Sequence, residues 1–347
     1  MTSTASSMPS ALYAQYPVST RPLWRRILGT REMAIIGLLI LVIVASCLFV
    51  PNFASQQTMY YLLMDQMSTL MIALPMTMVM ITGDIDVSVG SMVGLTCSAL
   101  GLLYSIGVPF TVAMVIVIVI GCVGGFLNGI LVTRITLPAL AVTIGTMALF
   151  RGIAVGLLGT NAITSFPKPW TDFAKAKLFG TGIPVALLVF LALLLGFTLL
   201  LHFTSFGRGV YSIGLNSEAA AFSGVRVAAT RTILFVLAGG AAALGGIYYT
   251  LRYGTARGDV GDGLELQVIA AIVLGGVSVF GGRGSMHGAV AGVILIGVMS
   301  SALRLMGVTS DVIKIITGAL LIASVLVGAL LTWVGNRRAA RQAALQG

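Results

Sequence analysis

The chain of 347 residues is 58% hydrophobic and only 9% charged, with a mean hydropathy of +1.05, far outside the range of a soluble domain. Its net charge of +10 invites a nucleic-acid reading, yet the basic residues stand singly at the ends of apolar runs and form no basic face, so membrane topology accounts for them better and no nucleic-acid partner is expected. An outer-membrane barrel is also disfavoured, because the apolar runs reach about 20 residues where barrel strands would alternate over about ten.

Residues 1–33 read as a cytoplasmic tail, partly disordered, rich in Ser, Thr, Pro and Ala and ending in Arg21, Arg25, Arg26 and Arg31. A signal peptide is the alternative, but the first run ends in Val50-Pro51-Asn52-Phe53 without a small-residue cleavage site. The apolar runs then fall at 34–51, 61–82, 87–106, 109–128, 138–158, 183–203, 232–251, 264–280, 286–305 and 311–333. They predict an all-α polytopic bundle of about ten transmembrane helices over 34–333, with both termini and the 334–347 tail in the cytoplasm. In that topology the inner segments carry the larger share of Lys and Arg, as the positive-inside rule requires.

The longest outer loop, 159–182, carries Lys168, Trp170, Asp172, Phe173, Lys175 and Lys177 between prolines and glycines. It suits a lip that meets another protein; a solvated connection with its aromatics at headgroup level is the other reading. We group Lys168, Trp170 and Asp172 with Arg257 and Asp259 as candidate docking residues on the outer side. The stretch 205–231 is the one long polar interlude inside the apolar chain, and it lands in the cytoplasm. There Asn216 is a good N-cap, Glu218 falls in the first turn, Ala219–Ala221 are strong helix formers and Gly224 is a natural stop. A helix of about seven residues is too short to hold itself together, so it needs a partner surface. Its Ala219, Ala220 and Phe222 are the expected contact side.

No catalytic constellation stands out. His202 and His287 lie near helix ends, no lysine follows a glycine in a phosphate-binding loop, and Cys47, Cys97 and Cys122 have neither paired spacing nor His neighbours. Neither metal, cofactor nor enzymatic activity is expected of this chain. The informative polar groups are those near membrane depth, where ionisable side chains are expensive unless they face water or a partner. Asp84 and Asp86, followed by Ser88, sit where two runs meet; Asp86 capping the next helix and Asp84 lying solvated is the bland alternative. Arg151 and Glu265 share an outer height that allows pairing, although each could snorkel separately. Thr143 and Thr146, on the run that carries Arg151, complete the candidate translocation pathway. Gly124, Gly125, Gly129, Gly239, Gly240, Gly245, Gly246, Gly288 and Gly292 recur at spacings that suit close helix packing. A weak internal echo joins 79–92 to 271–286, each an apolar run, a glycine-bearing break and Gly-Ser-Met.

Four stretches, 76–95, 128–152, 206–225 and 263–288, carry a resemblance that covers about 34–333. The chain resembles permease subunits of bacterial ATP-binding cassette importers for monosaccharides of the ribose, xylose and rhamnose type, and looks most like the rhamnose and autoinducer-2 subgroup. The resemblance implies two permease chains, a homo- or heterodimer, with an ATPase pair and an extracytoplasmic sugar-binding protein, all at the inner membrane. It also implies that Asn216, Glu218, Ala219, Ala220 and Gly224 belong to the loop that engages the ATPase, and we group Gly207, Arg208, Ser217 and Phe222 with them as candidate coupling residues. One departure stands out: Asp84 occupies the second glycine of the family's Gly-Gly-Ile-Asp, which questions a backbone approach only glycine permits and adds a charge. An ion-coupled transporter using Asp84 and Asp86, a membrane-embedded enzyme acting on lipid, and a branched-chain amino acid permease are the rival readings.

Overall fold

The computed structural model describes residues 31–323 and residue 326. The expected tails fall largely outside these residues. Among the described residues the chain is helical, without strands beyond isolated bridges such as Ile163 with Ala256. The helices are α1 (Arg31–Phe49), α2 (Gln56–Ile81), α3 (Val89–Ser105), α4 (Phe110–Thr133), α5 (Ala139–Leu158), α6 (Lys168–Lys175), α7 (Ala186–Phe203), α8 (Ser205–Leu215), α9 (Ser217–Phe222), α10 (Val227–Tyr253), α11 (Leu264–Leu274) and α12 (Met286–Leu305). Helix resumes over 310–323.

Each of the ten apolar runs holds a helix, but they are not equivalent. Among the described residues six of them, α2, α4, α5, α7, α10 and α12, are long and apolar enough to cross a membrane, whereas α3 and α11 are shorter. The run expected over 264–280 is the clearest difference. Its helix stops at Leu274, because Gly276 turns the chain at φ +91, and eleven residues rise only about 16 Å. The remainder, 275–285, is irregular backbone. Likewise α2 ends at Ile81 and α3 begins only at Val89, leaving an irregular break between them.

Helix α2 is the axis of the bundle, buried along most of its length from Tyr60 to Ile81. Its Pro75 removes a backbone donor from the helix ladder, and the neighbouring Thr77 hydroxyl donates to the Ala73 carbonyl at 2.6 Å. Of the six long helices α7, α5 and α4 are the least buried, and α4 presents an apolar face at Val112, Val115, Val119 and Val123. The opposite edge of α4 packs on α10 through small residues. A Cβ on Gly121 would lie 2.4 Å from the Gly239 carbonyl oxygen, and one on Gly125 would lie 2.1 Å from that of Phe235. The expectation that these glycines serve helix packing holds for this pair of helices.

Candidate functional site

Charged and polar groups gather at two levels of the bundle. At one end, the break between α2 and α3 lies beside the break between α11 and α12. The Gly282 amide donates to the Ile81 carbonyl at 2.8 Å, and Gly281 packs on Gly83 so closely that an added Cβ would stand 3.0 Å from its amide nitrogen. The two halves of the sequence echo therefore meet in space. Irregular backbone at membrane depth is tolerated where it is buried in protein, and Asp84, Asp86, Val87 and Ser88 are all buried.

Asp86 is 2% exposed. Its Oδ1 accepts from the Ser88 amide at 2.9 Å and the Ser88 hydroxyl at 2.6 Å. The Asn128 amide of α4 in turn donates to Ser88 Oγ at 2.8 Å. Asp86 thus terminates a side-chain chain that holds the start of α3, a stronger tie than a simple cap. Thr143 of α5 donates to the Ile85 carbonyl at 3.1 Å, while Thr146 turns back to the Val142 carbonyl of its own helix.

Asp84 is not solvated. Its Oδ2 stands 3.1 Å from Arg231 Nε and accepts from the Thr82 hydroxyl at 3.2 Å. Position 84 also needs no glycine: the left-handed backbone falls on Gly83, at φ +85, and Asp84 is not among the positive-φ residues. The doubt raised by the missing glycine is thereby removed, and the added charge has a partner. Arg231 is the last residue of the polar interlude 205–231.

The polar interlude joins this end directly. The sequence predicts one short helix there; the structure has two. Helix α8 precedes the break at Asn216, and its Tyr211 hydroxyl donates to the Gly284 carbonyl at 2.7 Å. A Cβ on Gly214 would stand 1.8 Å from the Ile81 carbonyl oxygen, so α8 sits directly on both breaks. Helix α9 is capped as expected, with Asn216 Oδ1 accepting from the Glu218 and Ala219 amides at 3.0 and 2.9 Å, and the chain leaves at Gly224 with φ +84. Its faces differ from expectation. Ala220 is only 3% exposed and is packed inside its own chain, so it cannot enter a partner's groove. Phe222 is 93% exposed and Leu215 is 73% exposed, with Glu218 and Ala219 also exposed. Gly207 is buried and Arg208 exposed on α8, and Ser217 is half-buried at the start of α9.

At the other level, Arg151 and Glu265 do not pair. Arg151 Nη1 donates to the Gly258 and Val260 carbonyls at 2.8 and 2.7 Å, pinning the irregular segment between α10 and α11 into the bundle. Glu265 is buried, and its Oε2 has no hydrogen-bond partner among the described residues. Both side chains instead lie against one glycine face of α3. A Cβ on Gly90 would stand 2.0 Å from Glu265 Oε2, and one on Gly94 would stand 2.7 Å from Arg151 Nη1.

Further toward that end, Asp65 of α2 forms ion pairs with Arg252 of α10 and Arg304 of α12. The sequence reading passed over this three-helix clamp; a lone acid within an apolar run was the available signal. The loop residues are exposed as expected, with Arg257 and Asp259 paired to each other. The Arg257 guanidinium bonded to it holds the Asp259 carboxyl below the usual carboxylate range. Lys168 and Asp172 are exposed on α6, whereas Trp170 packs on Phe110, ring centroids 6.1 Å apart. Loop 159–182 is therefore a structured cover and not a loose connection.

Comparison with known proteins accords with this architecture. Residues 58–325 match the family described as branched-chain amino acid transport system / permease component. The autoinducer 2 import system permease protein LsrD of Salmonella paratyphi B is 34% identical over 334 residues, covering 92% of this chain and 99% of the relative. The protein of that name from Escherichia coli is 36% identical over 300 residues, covering 85% of this chain and 90% of the relative. No solved structure matches the chain. The match over most of the chain and the repeated apolar helices agree: the chain belongs to this permease family, as a multi-pass inner-membrane permease of the ATP-binding cassette importer class.

Proposed function

We propose that the chain imports a small polyhydroxylated solute of the autoinducer-2 or rhamnose kind, working by alternating access and driven by a separate ATPase. The observation that carries this reading is the contrast across α8 and α9: an outward face led by Phe222 and Leu215, and an inward face seated on both backbone breaks. A partner pressing on that outward face would load the Ile81–Ser88 segment through Gly214, Tyr211 and the Asp84–Arg231 pair. The coupling surface comprises Gly207, Arg208, Asn216, Ser217, Glu218, Ala219, Phe222 and Gly224, with Ala220 as its internal support.

Solute entering from outside would pass Arg151 and Glu265, then Thr146 and Thr143, and leave past the break at Asp84, Asp86 and Ser88. Two buried acceptors in this region, Asn128 Oδ1 and Glu265 Oε2, lack a donor among the described residues, and a solute rich in hydroxyls supplies donors of the kind they lack. In this reading α8 and α9 are cytoplasmic, both termini lie on the same side, and about ten helices cross the membrane. Lys168, Trp170, Asp172, Arg257 and Asp259 would receive an extracytoplasmic solute-binding protein, and a second permease chain would complete the pathway.

The test is uptake into liposomes that hold the permease with its ATPase and binding protein. The reading expects ATP-dependent uptake of autoinducer-2 or a related sugar, with leucine excluded. Uptake of leucine instead would assign the chain to amino acids, and uptake that survives loss of the ATPase but stops with a protonophore would make it ion-coupled.

A further inference from the structure

A groove of about 530 Å³ runs between α4 and α10 at the α9 end of the bundle. Phe126 and Ile130 line it on the α4 side, and the Thr133 and Thr232 hydroxyls meet across the two helices at 3.1 Å. Arg134, which ends α4, and Arg226, which precedes α10, also line it. Both arginines are exposed and neither makes an ion pair among the described residues. The lining contains no acid. The exposed valines of α4, at positions 112, 115, 119 and 123, continue the apolar surface away from Phe126.

We infer that this groove binds one anionic phospholipid, with its phosphate between Arg134 and Arg226 and its acyl chains along the α4 valines. The charge and the apolar surface are arranged in the order a lipid requires: two cations at the end of a membrane helix pair, then a continuous hydrocarbon face. A zwitterionic lipid would bring its own cation to the same place and gain less. A second copy of this chain fits poorly, because a two-fold contact through the groove would set like charges against each other with no acid between them. The site is separate from the solute path and stands whether or not the solute assignment holds.

Native mass spectrometry of the purified full-length permease tests it, with phosphatidylglycerol and phosphatidylcholine as probes. Wild type is expected to retain one phosphatidylglycerol per chain in preference to phosphatidylcholine. At about fivefold per arginine, the Arg134→Ala/Arg226→Ala double variant should lose roughly thirtyfold in retention. Ala229→Phe, which fills the groove but keeps both charges, should lose it too. Arg134→Lys/Arg226→Lys should keep most of it, and Arg283→Ala, an exposed arginine elsewhere in the chain, should change nothing. Equal retention by wild type and the Ala double variant would overturn the inference, as would an Ala229→Phe variant that binds normally, which would mean charge attraction without a groove. Displacement of the lipid by inorganic phosphate would make this a free-anion site and overturn it equally. A double variant that changes oligomeric state while lipid retention is untouched would assign the groove to a permease contact instead.

Discussion

Asp84 and Arg151 are both charged side chains held inside a membrane bundle, and they are stabilised in opposite ways. Asp84 meets an opposite charge, Arg231, carried by α10, the helix that follows α9. Arg151 meets two backbone carbonyls of an irregular segment. An ion pair can be exchanged or swapped between elements, because either partner can be replaced by another charge. A cation fixed by carbonyl dipoles shapes the backbone around it and cannot be swapped. The difference suggests that the α8 end is built to rearrange and that the Arg151 level is built to hold its form.

The sharpest way to break this comparison is to remove Arg151. Arg151→Met leaves two carbonyls without their donor, and hydrogen bonds to a charged group contribute about 1.5–3 kcal/mol each, so a loss of roughly 3–6 kcal/mol is expected. Thermal unfolding in detergent would read it. Glu265→Gln should not rescue the variant, since the two side chains do not pair; rescue would mean that the carbonyls are not what holds Arg151.

Next in size are the glycines of α3. Gly90→Ala would push on the Glu265 carboxylate and Gly94→Ala on the Arg151 guanidinium, and overpacking of this kind costs about 1–3 kcal/mol. The same thermal assay should find both variants less stable, with Gly145→Ala, where nothing lies within 4 Å, as the neutral reference.

A smaller stability effect but a larger functional one is expected at Asp84. Asp84→Ala and Arg231→Ala should each impair uptake, and a double-mutant cycle should give a coupling of about 1–3 kcal/mol. The swap Asp84→Arg/Arg231→Asp should restore part of the activity. Additive losses and no recovery on swapping would show that the pair is incidental.

The smallest effect belongs to the exposed Arg257–Asp259 pair. Asp259 has a depressed folded-state pKa, so its contribution is present above the ordinary carboxylate range and is lost as pH falls through the folded value. Unfolding temperature should therefore be indifferent to Asp259→Asn at neutral pH, because exposed pairs are weak. Capture of the binding protein is where the substitution should register, measured as its affinity for the reconstituted permease.

Much of this was legible in the chain itself, and the gaps have physical reasons. Apolar runs mark the helices, and Asn216, Glu218 and Gly224 mark α9, because capping and helix propensity are local. Asp84 with Arg231, Asp65 with Arg252 and Arg304, and Arg151 with the Gly258 and Val260 carbonyls join positions far apart in sequence. Such pairs leave no spacing to read. Helix α8 was missed because Gly207, Gly209 and Gly214 lower its propensity, while their real use is close approach to neighbouring backbone and side chains, as at Ile81. The inward turn of Ala220 was equally hidden, since a helix of six residues is too short to show a face.

The central claim is that α9 is the handle through which the ATPase moves the two breaks. Co-purification of the ATPase with the Phe222→Asp variant, alongside uptake by the same cells, tests it most directly. Phe222 is exposed and supports nothing inside the chain, so the variant should insert in the membrane and melt like wild type. The account predicts that the ATPase no longer co-purifies and that uptake falls to background. Normal ATPase capture with full uptake would contradict it.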